Sequence, residues 1–139
     1  MILLTRTVLP FLLARISGID GYYTAFRLAF YGGTDPQWVT EPPPSNPLAQ
    51  YDFPSPWATP SNGTQVAKIG PIATTVIATG VPSFWRLLGF RDGVWSSVVH
   101  GSIGLAGSNA DIKVRTLEWV VGDPLTLQVL RIYPLKLSY

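Results

Sequence analysis

Between Ser83 and Ser108 the chain reads SFWRLLGFRDGVWSSVVHGSIGLAGS. Two β-forming runs are joined there by Arg91-Asp92-Gly93. Asp-Gly accepts the positive φ that a two-residue hairpin demands, so Phe84–Phe90 and Val94–Ile103 are expected to pair. A glycine-punctuated loop at Gly104 and Gly107 follows. A lone hairpin is marginal in water, and the remaining segments must supply strands beside it.

Most of them can. Tyr22–Tyr31 reads as a first strand, with Phe26, Leu28 and Phe30 on one face and Arg27, Ala29 and Tyr31 on the other. Gln65–Gly70 and Ile72–Thr79 read as two short strands around Gly70-Pro71. Asp111–Arg115 alternates cleanly, placing Ile112 and Val114 inward and Lys113 and Arg115 outward, and Leu117–Val121 extends it. Leu125–Tyr133 is the last strand, apolar on both faces. Turns are marked at Gly32-Gly33-Thr34-Asp35-Pro36, Asn62-Gly63-Thr64 and Gly122-Asp123-Pro124. About seven or eight short strands with frequent turns give an all-β class, expected as an antiparallel β-sandwich of jelly-roll type.

Two segments stand apart. Residues 1–18 are expected to form a short amphipathic helix or arm. Thr7 is its cap, Pro10 sits in the first turn, and Gly18 is its stop. Residues 37–60 carry seven prolines among Trp38, Tyr51, Phe53 and Trp57. That density of proline argues against a central strand, and that aromatic content argues against a disordered linker. An ordered loop is expected, within a single domain spanning 19–139.

Composition narrows the function classes. Charged residues are only 13% of the chain, while 47% are hydrophobic. So little charge leaves apolar surface that a partner would cover, which points to a subunit of a homo-oligomer or larger assembly. A net charge of +2 offers no footprint for nucleic acid. No apolar run approaches the roughly 20 residues of a membrane-spanning helix. Cysteine is absent, which removes disulfides, thiolate metal sites and cysteine nucleophiles.

The chemistry-bearing residues form no catalytic pattern. His100 is the one histidine. In His100-Gly101-Ser102-Ile103-Gly104 the first glycine of a nucleophile elbow is missing. Gly101, Gly104 and Gly107 do not form a dinucleotide fingerprint, and the eight carboxylates show no metal or glycosidase pairing. No catalytic, cofactor or metal residue is assigned, and an enzyme centred on His100 or Asp111 ranks last. Trp85 and Trp119 are expected in the core, and Trp38, Trp57 and Trp95 as candidates for a sugar platform or a protein interface.

The order of segments resembles a family of small proteins from the structural gene modules of tailed bacteriophages and prophages. The resemblance rests on Arg27-Leu28-Ala29-Phe30-Tyr31-Gly32 with Pro36, on Pro47-Leu48-Ala49 and Asn62–Ile69, and on Phe84-Trp85-Arg86 before Asp92-Gly93. It continues through Gly101-Ser102-Ile103-Gly104, Ala110-Asp111-Ile112-Lys113-Val114, and Gly122 with Leu125–Ile132. The proline-rich insert Glu41–Pro60 and Pro10 depart from the pattern. The resemblance implies a non-enzymatic virion component: a capsid decoration or minor capsid protein, or else a head–tail connector or tail component. Its partners would be the major capsid protein or neck and tail subunits, with no cofactor, nucleic acid or membrane. The expected interface residues are Leu3, Leu4, Phe11, Trp38, Tyr51, Phe53 and Trp57. The competing reading is a carbohydrate- or host-surface-binding module.

Overall fold

The computed structural model describes residues 9–36, 42, 46–61 and 65–132. It is an all-β chain with one short helix. The elements are α1 (Leu9–Ser17), β1 (Ala25–Gly32), β2 (Ala49–Pro54), β3 (Thr59–Ser61), β4 (Gln65–Thr75), β5 (Pro82–Arg91), β6 (Val94–Leu105), β7 (Ile112–Val114) and β8 (Pro124–Ile132). A five-stranded sheet runs β2-β1-β5-β6-β7, and a three-stranded sheet runs β3-β4-β8.

The central hairpin forms as its turn residues require. Arg91 pairs with Val94, and Asp92 and Gly93 both adopt positive φ, 52° and 78°. β1 then lies against β5 with Leu28 opposite Leu87 and Phe30 opposite Trp85. At the other end Gly18, at φ 90°, stops α1 as a left-handed C-terminal residue does. Pro10 falls in the first turn, where its missing N–H is not needed. The proposed Thr7 cap lies outside the described residues.

Four expectations are corrected. The 37–60 segment is not only a loop, since β2 forms within it and β3 begins at its end. Proline still obeys its rule: β2, which ends at Pro54, and β3, which contains Pro60, are the edge strands of their sheets. The two strands expected around Gly70-Pro71 are one, β4, whose register against β8 shifts between Ile69 and Ile72. The pairing is not wholly antiparallel either. β7 lies parallel to β6, with Ile103 opposite Ile112, and the Leu117–Val121 extension is only a bridge between Trp119 and Gly80.

One apolar cluster takes side chains from both sheets and the helix. Phe26, Leu28, Phe30, Trp85 and Leu87 come from the larger sheet, Ile72, Leu127 and Leu130 from the smaller, and Leu13 and Ile16 from α1. Trp119 joins them, so both tryptophans expected inside are inside.

Candidate functional site

The register gives β1, β5 and β6 a second face, turned away from that cluster. Ala29, opposite Arg86, and Tyr31, opposite Phe84, both lie on it. Arg86 is in turn opposite His100. The alternation of β1 places Arg27, Ala29 and Tyr31 on this face. On it Ala29, Tyr31 and Phe84 form a second buried group, with the Tyr31 and Phe84 rings stacked at 5.1 Å. Burial, against the pull of the nearby Arg86 and Arg27 guanidinium groups, holds the Tyr31 phenol above its ordinary pKa.

That raised value has a testable sign. The neutral phenol is favoured in the folded chain, so this stabilisation is complete below the ordinary tyrosine value of about 10 and fades as pH rises through the folded one. Denaturation midpoints followed into the alkaline range should therefore fall less steeply for Tyr31→Phe than for the wild type. Equal slopes would contradict the assignment.

Arg86 sits at the centre of this face and is only 1% exposed. Its Nη1 donates to Ser97 Oγ at 3.1 Å, and its Nη2 lies 3.9 Å from Asp35 Oδ1. Asp35 also receives His100, whose Nδ1 is 2.9 Å from Oδ2. A carboxylate only accepts, so Nδ1 carries the hydrogen in this contact. Toward one end of the sheet, Arg27 grips Asp52 with two bonds, Nε to Oδ1 at 2.7 Å and Nη2 to Oδ2 at 3.1 Å. The hydrogen bond that Arg27 donates to Asp52 outweighs the effect of burial and raises the Arg27 pKa above its usual value. The same guanidinium lies 4.2 Å over the Trp95 ring.

The His100–Asp35 contact is the half of a catalytic triad that orients a base. The other half is otherwise engaged. Ser102 Oγ donates to Asp111 Oδ2 at 3.3 Å and accepts from the Asp111 N–H at 3.2 Å. Ser102 N–H also donates to Asp111 Oδ2. This exchange staples β6 to the start of β7, and the hydroxyl hydrogen points to Asp111. What the Asp35–Arg86–His100 group does is tie the loop after β1 to the middle of the sheet.

A second feature is apolar. Ile77, Val81, Val120 and Val121 are between 53% and 62% exposed. They lie on two segments held side by side. Gly80 and Trp119 exchange two backbone bonds, Gly122 N–H donates to Val76 O, and Val121 N–H donates to Thr79 Oγ1. Four branched aliphatics on adjacent segments make an apolar ledge of the kind that marks an interaction surface.

The expected interface residues are scattered. Leu3, Leu4 and Trp38 lie outside the described residues, as does the side chain of Phe11. Tyr51 is half-buried against the core. Phe53 and Trp57 are 3% and 5% exposed and pack on each other at 5.1 Å, with Phe26 against Trp57. Trp57 Nε1 donates to Ile16 O at 2.8 Å. These two aromatics fasten the helix to the sheet from within, and no face of them is left for a partner. Of the sugar-platform candidates, Trp57 is internal and Trp95 is half-buried beneath Arg27 and against Phe90.

Sequence reading passed over Arg86, Asp35 and the ledge. An arginine inside the apolar run Phe84–Phe90 was the available signal for Arg86, since such a run belongs to a strand buried on both faces. Val120-Val121 beside the Gly122-Asp123 turn was the signal for the ledge. Among the described residues no helix is long and apolar enough to cross a membrane, and no cluster of His, Asp and Glu has the makings of a metal site. Compared with known proteins, the chain matches no family model, no curated protein and no solved structure.

Proposed function

We propose that this chain is a non-enzymatic structural subunit of a tailed-phage particle, as a capsid decoration or minor capsid protein. In this reading the two sheets are the layers of a jelly-roll-like sandwich, and the subunit stabilises the particle by burying apolar surface against neighbouring virion subunits. The observation that carries it is the ledge of Ile77, Val81, Val120 and Val121 on a chain with 13% charged residues. Burying a half-exposed aliphatic side chain is worth about 1 kcal/mol, so the four together contribute about 4 kcal/mol, which roughly offsets the lower end of the cost of association and leaves the rest of the affinity to neighbouring contacts. The ordered run of motifs from Arg27 to Ile132 gives the reading its phage context. The bonding of Ser102 Oγ to Asp111 supports the non-enzymatic reading, since that hydroxyl is directed to a strand contact and not to His100.

The test is co-sedimentation with capsids assembled from the major capsid subunit, alongside connector and tail subunits, together with light scattering of the free protein. Val120→Asp with Val121→Asp should abolish binding or self-association. Both positions are exposed, so the stability of the free chain should move by no more than about 0.5 kcal/mol. Binding to connector or tail subunits in place of capsids would move the protein to the head–tail junction or tail. A wild type that is monomeric and binds none of them defeats the proposal.

A further inference from the structure

A cavity of about 720 Å³ opens between the two sheets' outer strands, lined by Lys113, Arg115 and Thr116 on one side and Leu125 and Thr126 on the other, over Trp119. Its place in the topology is unusual. β7 is the last strand of the five-stranded sheet and β8 the last of the three-stranded sheet. Each has one edge paired, β7 with β6 and β8 with β4, and among the described residues no strand lies along the other. Such an edge presents backbone donors and acceptors in a row, and the only chemistry that matches the row is another extended backbone.

The side chains around it narrow the occupant. Lys113 and Arg115 are exposed and make no ion pair among the described residues. They stand two apart, Lys113 in β7 and Arg115 just past its end, and two residues of extended chain span about 7 Å, which is also the spacing of alternate side chains on an added strand. The one carboxylate at the cavity, Asp123, already accepts the Val120 N–H through Oδ2. Beneath this cationic rim Val76, Val114, Trp119 and Leu125 form an apolar floor.

We infer that this cavity is a strand-addition site for an extended segment of a different protein, carrying carboxylates at alternate positions. A second copy of this chain does not supply such a segment. Its eight Asp and Glu residues lie at 20, 35, 41, 52, 92, 111, 118 and 123, and no two are two apart. Asp20, Asp35, Asp52 and Asp92 are moreover committed to Arg15, His100, Arg27 and Arg91 in their own chain. The inference concerns strand edges and charge, and it does not depend on the virion reading or on the ledge.

The experiment is selection of a displayed library of random linear peptides of about ten residues against the full chain, followed by fluorescence anisotropy on the enriched sequences. Enriched peptides are expected to be free of proline, to hold Asp or Glu at alternate positions, and to weaken as salt rises. Lys113→Glu with Arg115→Glu should cost at least about tenfold in affinity, because two attractive rim pairs become repulsive. Arg91→Glu, at the far hairpin turn, serves as the control of like sign and should leave affinity unchanged. Backbone N-methylation at alternate residues should abolish binding, which separates strand addition from simple charge attraction. The inference is overturned if no peptide is enriched or if the enriched peptides are basic or proline-rich. It is equally overturned if the N-methylated peptides bind as well as the parents, or if Lys113→Glu with Arg115→Glu abolishes self-association in a chain that selects no peptide.

Discussion

Trp57→Ala is expected to lower the stability of the chain by about 4 kcal/mol, combining a large-to-small change in a packed site with loss of a buried hydrogen bond. At this chain length that is a fall in melting temperature of roughly 10–20 °C. Trp57 touches three things at once. Its ring packs on Phe53 and Phe26, its Nε1 donates to Ile16 O, and its backbone N–H donates to Ser17 O at 3.1 Å. Nearby, Ser55 Oγ donates to Gly18 O. The last turn of α1 leaves carbonyls without helical partners, and here the segment between β2 and β3 supplies the donors. Removing the ring opens a void between helix and sheet and orphans the Ile16 carbonyl. Trp57→Phe keeps most of the volume and loses only the N–H, so it should cost about 1–2 kcal/mol. Urea denaturation of the three proteins measures both steps. A Trp57→Ala chain as stable as the wild type, with altered self-association, would return Trp57 to an interface role and contradict its packing.

That comparison shows where the sequence could be read and where it could not. The β5–β6 hairpin was legible because its determinants are local: Asp92 and Gly93 fix a turn whatever surrounds them. The inward faces of β1 and β7 were legible for the same reason, through the alternation of Phe26, Leu28 and Phe30 and of Ile112 and Val114. Trp57 was misjudged because its environment is made by residues 31 to 41 positions earlier, and a proline-rich context reads as surface until the helix that covers it is in place. The proline segment illustrates a finer point. Proline is confined to edges and to breaks in the ladder, such as the register shift at Gly70-Pro71 in β4, and a sequence does not say which strands are edges. The parallel β6–β7 pair was hidden in a similar way. Alternation reports which face is buried and carries no information on the direction of the neighbour.

The candidate sites were less legible than the fold. A surface ledge is defined by what fails to be covered, so Val120 and Val121 looked like the end of a strand until Trp119 bridged to Gly80 and turned them outward. The β7–β8 cavity depends on two strands being last in their sheets, a property of the complete topology. Lys113 and Arg115 were nonetheless placed outward by their alternation with Ile112 and Val114, and both are exposed.

Arg86 poses the sharpest question of charge against volume. Its stem crosses a face that also buries Phe84, Tyr31 and Ala29, and its head meets Ser97 and lies near Asp35. Arg86→Ala is expected to cost about 3–5 kcal/mol, the range for emptying a large buried site or breaking a buried ionic group. Arg86→Met retains the length of the stem without the guanidinium. Asp35 keeps His100 as its partner and is partly open to water, and Ser97 is not fully buried, so neither becomes a sealed orphan. The Met variant should therefore lose only about 1–2 kcal/mol, because a buried ionic group is often no more stabilising than an apolar one of the same shape. Arg86→Lys keeps the charge but not the planar fork that bonds Ser97 and faces Asp35, and it should fall between the two. Thermal or urea unfolding of the three variants ranks them. If Met proves as damaging as Ala, the guanidinium's bonds hold this face together; if Met is nearly neutral, the packed stem does, and the charge serves to fix the position of the loop bearing Asp35.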